Sequence, residues 1–104
     1  MGDCAVNLVK SRSYYTSDGR KIIEAIFDVT LSNSYASGGD TLDLSKYFKE
    51  IDIIEVETPI VGSYLVEVDR ANKKVKAYSD VGTEVTGGTD LSGVTFRIRV
   101  VGTG

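Results

Sequence analysis

The chain has 104 residues, 41% of them hydrophobic and 26% charged, with 12 basic against 15 acidic side chains and a net charge of −3. That length closes around one core, so a single domain over residues 1–104 is expected, and the composition is that of a folded globular protein. Histidine is absent, which removes the commonest general base near neutral pH and the commonest zinc or copper ligand, and the acidic balance disfavours nucleic acid.

Ser-His-Asp and Cys-His triads are therefore impossible within the chain, and no catalytic residue, metal ligand or cofactor is assigned. The expectation is a protein that is not an enzyme. No apolar run approaches the roughly 20 residues of a membrane helix, and Met1-Gly2-Asp3 does not open as a signal peptide does, so a cytosolic chain with no membrane partner is expected. The lone Cys4 has no internal disulfide partner and reads as a small hydrophobe at a strand position.

In chain order, Cys4 to Ser11 alternates Cys4, Val6 and Leu8 against Ala5, Asn7 and Val9, which predicts a strand. The turn Ser17-Asp18-Gly19-Arg20 folds it back on Lys21 to Leu31, with Tyr14 and Tyr15 near the hairpin tip, one on each side of the sheet. In the second strand Ile23, Ala25, Phe27, Val29 and Leu31 share a core face. The opposite face mixes Glu24, Asp28 and Thr30 with Ile22 and Ile26, so it is covered either by a loop or by another sheet or subunit.

Ser32 to Asp40 is a loop rich in turn formers, and Gly38-Gly39 reads as a turn needing unusual φ because no Lys-Ser/Thr follows to make a phosphate-binding loop. Asp43 is placed to cap one or two helical turns over residues 42–48, with Leu44, Tyr47 and Phe48 inward at i, i+3, i+4 spacing. Ile51 to Thr58 is the next strand, Ile51 and Ile53 on one face and Ile54 and Val56 on the other, ended by Pro59.

A hairpin follows, Gly62–Asp69 with Lys74–Tyr78, placing Tyr64, Val66 and Val68 against Val75 and Ala77. The turns Asp80-Val81-Gly82-Thr83 and Thr86 to Asp90 flank a short Glu84-Val85 segment. Last, Val94, Phe96, Ile98 and Val100 alternate with Thr95, Arg97 and Arg99. The prediction is an all-β fold, an antiparallel β-sandwich or partly closed barrel of six to seven strands with one short helical turn.

Glu50, Asp52, Glu55 and Glu57 do not converge in strand geometry, since Asp52 faces away from Glu55 and Glu57, and they read as a solvated edge rather than a carboxylate dyad or calcium site. Arg97 and Arg99 share a face, where cross-strand pairing with those acids is preferred over anion binding.

Three stretches, Ser34-Tyr35-Ala36-Ser37-Gly38-Gly39-Asp40, the hairpin Val66–Asp69 with Lys74–Tyr78, and Gly82–Val85 leading to Thr89–Arg97, together resemble small proteins encoded among the head genes of tailed bacteriophages and related viruses. These are structural or capsid-decorating proteins. The resemblance spans most of the chain and departs from that pattern at Lys46 to Glu50, where a shorter, more apolar link is expected. It implies a virion protein made in the host cytoplasm, a homo-oligomer with a trimer as one symmetry, docked on capsid protein. The partner-binding candidates are Tyr14, Tyr15, Tyr35, Gly38, Gly39 and Asp40, within or beside the N-terminal stretch Gly2 to Lys10 and the Tyr35–Asp40 loop. The rival reading is a small carbohydrate- or peptide-binding β-module, with Tyr14, Tyr15, Tyr35 and Tyr64 as stacking surfaces.

Overall fold

The computed structural model describes residues 2–80 and 82–104. Its strands are β1 (Ala5–Tyr15), β2 (Lys21–Thr30), β3 (Asp40–Thr41), β4 (Glu50–Val56), β5 (Ile60–Val61), β6 (Tyr64–Asp69), β7 (Lys74–Asp80), β8 (Thr83–Glu84) and β9 (Thr95–Thr103). Six of them are longer than two residues. They form two antiparallel sheets, one in the order β1-β2-β9-β4, the other in the order β3-β7-β6-β5 with β8 also on β7. The sheets do not close into a barrel: the first ends in β1 and β4, a bridge between Asp3 and Thr41 joins it to the second at one side, and Arg70 of the β6–β7 turn donates to the Ile51 carbonyl of β4 at the other.

The alternation read from the sequence becomes one buried cluster fed by both sheets. Ala25, Phe27 and Val29 of β2 and Phe96, Ile98 and Val100 of β9 meet Val66 of β6 and Val75 and Ala77 of β7. Because β9 is central, flanked by β2 and β4, its apolar face is wholly buried, which is why Ile98 and Val100 have no exposed surface. Gly102 sits where β9 and β4 backbones approach so closely that a Cβ would strike the Glu50 carbonyl oxygen and the Phe48 ring.

Between β3 and β4 the chain makes a hydrogen-bonded turn rather than a helix: the N–H groups of Tyr47 and Phe48 both donate to the Leu44 carbonyl. The next donor, Lys49 N–H, goes to Thr103 O at 2.8 Å and draws the chain into β4. Leu44 and Phe48 are buried, and Phe27 meets the rings of Tyr47 and Phe48 edge-on at 5.0 and 6.2 Å between centroids.

Two register shifts alter the faces expected from strict alternation. In β1 the shift falls between Leu8 and Lys10, so Val9 is the extra residue; in β4 it falls between Ile51 and Ile53, at Asp52. Ile51 consequently joins Ile54 and Val56 toward the core, while Ile53 faces outward with Glu50 and Glu55, where strict alternation had grouped Ile51 with Ile53. The predicted turn at Asp80–Thr83 includes Val81, which lies outside the described residues, as does Met1.

Candidate assembly surface

The loop singled out for binding turns inward. Asp40 is fully buried and Tyr35 is 1% exposed. The Asp40 carboxylate accepts from Ser32 N–H at 2.8 Å and Ala36 N–H at 2.9 Å, tying the start and the middle of the loop to the start of β3. The Tyr35 hydroxyl donates to Glu84 at 2.7 Å and accepts from Ala77 N–H at 3.0 Å, and Glu84 also accepts from Gly38 N–H at 2.8 Å. Burial is the first cause that raises the Tyr35 phenol, with the Glu84 carboxylate adding to it.

Gly38 and Gly39 have φ of 91° and 118°, and a Cβ at Gly39 would press on Lys74 and the Val75 carbonyl. Tyr35 N–H donates to Thr89 O, and Gly88 N–H returns to Tyr35 O. Tyr35, Gly38, Gly39 and Asp40 therefore form a latch that holds residues 86–89 and β7 to β3. The ring that the carbohydrate-binding reading needed at Tyr35 is inside, and Tyr64 is half-buried.

The N-terminal segment is tied to the same latch. Gly2 N–H donates to Ser34 O, Thr41 N–H to Gly2 O, and Cys4 N–H to Thr41 O. Burial pushes the Cys4 thiol up to about 12, with the negative charges of Asp40 and Asp3 adding to the effect. It is a protonated packing group and not a nucleophile at neutral pH.

Tyr14 and Tyr15 lie elsewhere, at the far end of β1, paired with Ile22 and Lys21. One projects from each face of the sheet, and both are exposed, as are Leu8 and Val9. β1 is exposed along nearly its whole length because the core ends beneath β2. Ser11 and Ser13 lie on the core side, opposite Ala25 and Ile23, and are exposed all the same.

The outer face of the first sheet carries an ionic ladder. Arg12 of β1 pairs with Glu24 of β2 at 2.9 Å; Glu24 also accepts from Arg99 of β9, and Arg99 donates in turn to Glu55 of β4. Arg97 grips Asp28 with two bonds, at 2.9 and 3.2 Å. The hydrogen bond from Arg99 is the first cause that lowers the Glu24 carboxyl, and that from Arg97 the first that lowers Asp28. Ile22 and Ile26, which the sequence left to be covered by a loop or a subunit, are half-buried among these charged side chains.

The expected partners of the arginines were the β4 acids. Glu55 is one, while Glu24 and Asp28 of β2 are the others, set by the β2–β9 register that puts Asp28 opposite Arg97. Arg12 and Glu24 were not singled out, although their spacing on outward positions of adjacent strands was present in the sequence. The missing information was the Val9 bulge, which decides which way Arg12 faces.

Among the described residues no group of three Cys, Asp or Glu side chains is placed to hold a metal ion, and no helix is long and apolar enough to cross a membrane. No family model, curated protein or solved structure matches the chain.

Proposed function

We propose that this chain is a non-enzymatic structural protein of a virion, one that decorates and stabilises a capsid by associating with itself and docking on capsid protein. In this reading the two sheets make a sandwich, with the Leu44–Phe48 turn plugging one end, and the product of the fold is a rigid body with usable surfaces. The observation that carries it is the division of labour between the Tyr35–Asp40 latch, which spends its polar groups inside, and β1, which leaves Leu8, Val9, Tyr14 and Tyr15 open to solvent. Exposed aromatics on a strand ribbon offer large, stiff contact area at low entropic cost.

The test is co-sedimentation of the purified protein with empty shells of a virus that encodes it. Binding in a fixed ratio to the major capsid protein, with a raised shell melting temperature, is expected. Replacing Tyr14 and Tyr15 together by Ser should weaken binding roughly tenfold. Failure of the wild-type protein to sediment with the shells would end the proposal.

A further inference from the structure

The first sheet has open edges of opposite charge. β1 carries Lys10 and Arg12 and no acid; β4 carries Glu50, Asp52 and Glu55, with Glu57 just beyond its end. The ladder Arg12–Glu24–Arg99–Glu55 crosses all four strands and alternates in sign, so it leaves a cation at one edge and an anion at the other.

The geometry points to a second copy of this chain as the occupant of the β1 edge, through its β4, in a head-to-tail extension of the sheet. This rests on the reading that the protein works by self-association. Successive strands of the sheet are antiparallel, β1 to β2, β2 to β9 and β9 to β4, so β4 runs antiparallel to β1. A copy displaced sideways therefore offers β4 in the direction an antiparallel ladder needs, with the same face outward.

The hydrogen-bonding phase agrees. Thr16 N–H donates to Arg20 O at 2.8 Å, which fixes the parity of the hairpin: Tyr14, Arg12 and Lys10 direct N–H and C=O toward β2, and Ser13 and Ser11 direct theirs to the open edge. On β4, Glu57 N–H donates to Arg97 O at 2.9 Å, so Glu57, Glu55 and Ile53 bond to β9 and leave Ile54 and Val56 facing the open edge. Setting Ser13 against Ile54 and Ser11 against Val56 of the second copy satisfies both rows of backbone groups.

That same register places Arg12 opposite Glu55, Lys10 opposite Glu57, and Tyr14 opposite Ile53, all on the outer face and at the closer, non-hydrogen-bonded positions. Tyr14 and Ile53 are among the exposed large apolar residues, at 50% and 48%. The bulges at Val9 and Asp52 confine the contact to residues 10–15 against 52–57. Pairing of β1 with β1 would instead set Lys10 and Arg12 against the same cations, which disfavours a two-fold dimer there. A head-to-tail contact builds a ring if the rotation closes and a filament if it does not.

The test is sedimentation velocity of the full chain over a concentration series at about 50 mM and about 500 mM salt. The wild type is expected to show concentration-dependent oligomers that weaken at high salt. Arg12→Glu and Glu55→Arg should each reduce association by about tenfold or more, and an equimolar mixture of the two should restore it, since each edge then meets its opposite. Ser13→Pro removes a donor aimed at the open edge and no internal bond, so it should block association while leaving the melting temperature near that of the wild type. A wild type that stays monomeric at low salt, a mixture that stays dissociated, or oligomers untouched by Ser13→Pro would overturn the inference. Shell binding reports separately: monomers or other oligomers that bind shells remove this edge contact and leave the proposed function standing, and edge-paired assemblies that ignore shells do the reverse.

Discussion

Asp40 is the residue on which the loop closure depends. Its carboxylate accepts two backbone N–H groups from a segment with no strand partner of its own, and charge-assisted bonds of that kind contribute more than neutral ones. Asp40→Ala leaves both donors without a partner, and we expect a loss of about 3 kcal/mol in urea unfolding. Tyr35→Phe keeps the ring in the core but strands the Ala77 N–H, so a loss of about 1–3 kcal/mol is expected. A change below about 0.5 kcal/mol for Asp40→Ala would mean that the loop is held by packing alone. The turn read at Gly38-Gly39 is present, with positive φ at both glycines, but the sequence did not show where the side chains of Tyr35 and Asp40 point. Tyr, Gly, Gly and Asp in a turn-rich run look like a presented surface, and only the contacts with Ser32, Ala77 and Glu84 reveal that Tyr35 and Asp40 face inward while Gly38 stays exposed.

At the scale of elements, the carboxylates of the outer ladder set an acid limit on the first sheet. Glu24 and Asp28 are held below the ordinary carboxylate range by the bonds from Arg99 and Arg97. A lowered folded-state pKa gives stability that is complete above the unfolded value, about 4 for these groups, and is lost as pH falls through the folded value. The urea midpoint should thus be flat from about pH 5 to pH 7 and fall below about pH 4. Asp43, Asp69 and Asp90 are lowered too, by bonds from Ser45, Asn72 and Ser92 in turns, and add to the same fall. Arg99→Gln isolates the ladder: it should lower the neutral-pH midpoint and shrink the acid drop, and an unchanged acid drop would assign the effect to the turns. The elements themselves were largely legible, because β2, β6 and β9 keep the period-two pattern without interruption and β7 keeps it as far as Tyr78, where its pairing with β8 shifts. β4 was misread in its faces, since one extra residue at Asp52 leaves no mark in composition and reverses every side chain beyond it, whereas in β1 the alternation from Cys4 to Leu8 holds and the Val9 bulge sets only the faces that follow. The outer ladder stayed hidden for the same reason: pairing across four strands is a property of register.

For the whole molecule, the division into a core-backed part and an uncovered strand sets how stability is distributed. Ile98 and Val100 lie in the central strand, buried, with neighbours on both edges; β1 has one neighbour and little beneath it. Native-state hydrogen exchange should therefore find the β9 amides opening only with global unfolding and the β1 amides of Lys10, Arg12 and Tyr14 opening at lower free energy, by release of β1 from β2. Ser11 and Ser13 belong to neither class in the monomer, since their N–H groups face solvent at the open edge, and they should exchange at nearly unprotected rates there. In the assembled form they should become protected together with Ile54 and Val56, because these four donors would close one new ladder. Protection that appears on Ser11 and Ser13 but not on Ile54 and Val56 would point to a different strand on the β1 edge. Protection on none of them would move the assembly surface to the faces of the sheets, where Tyr15 and Ile60 are the next large apolar side chains open to solvent.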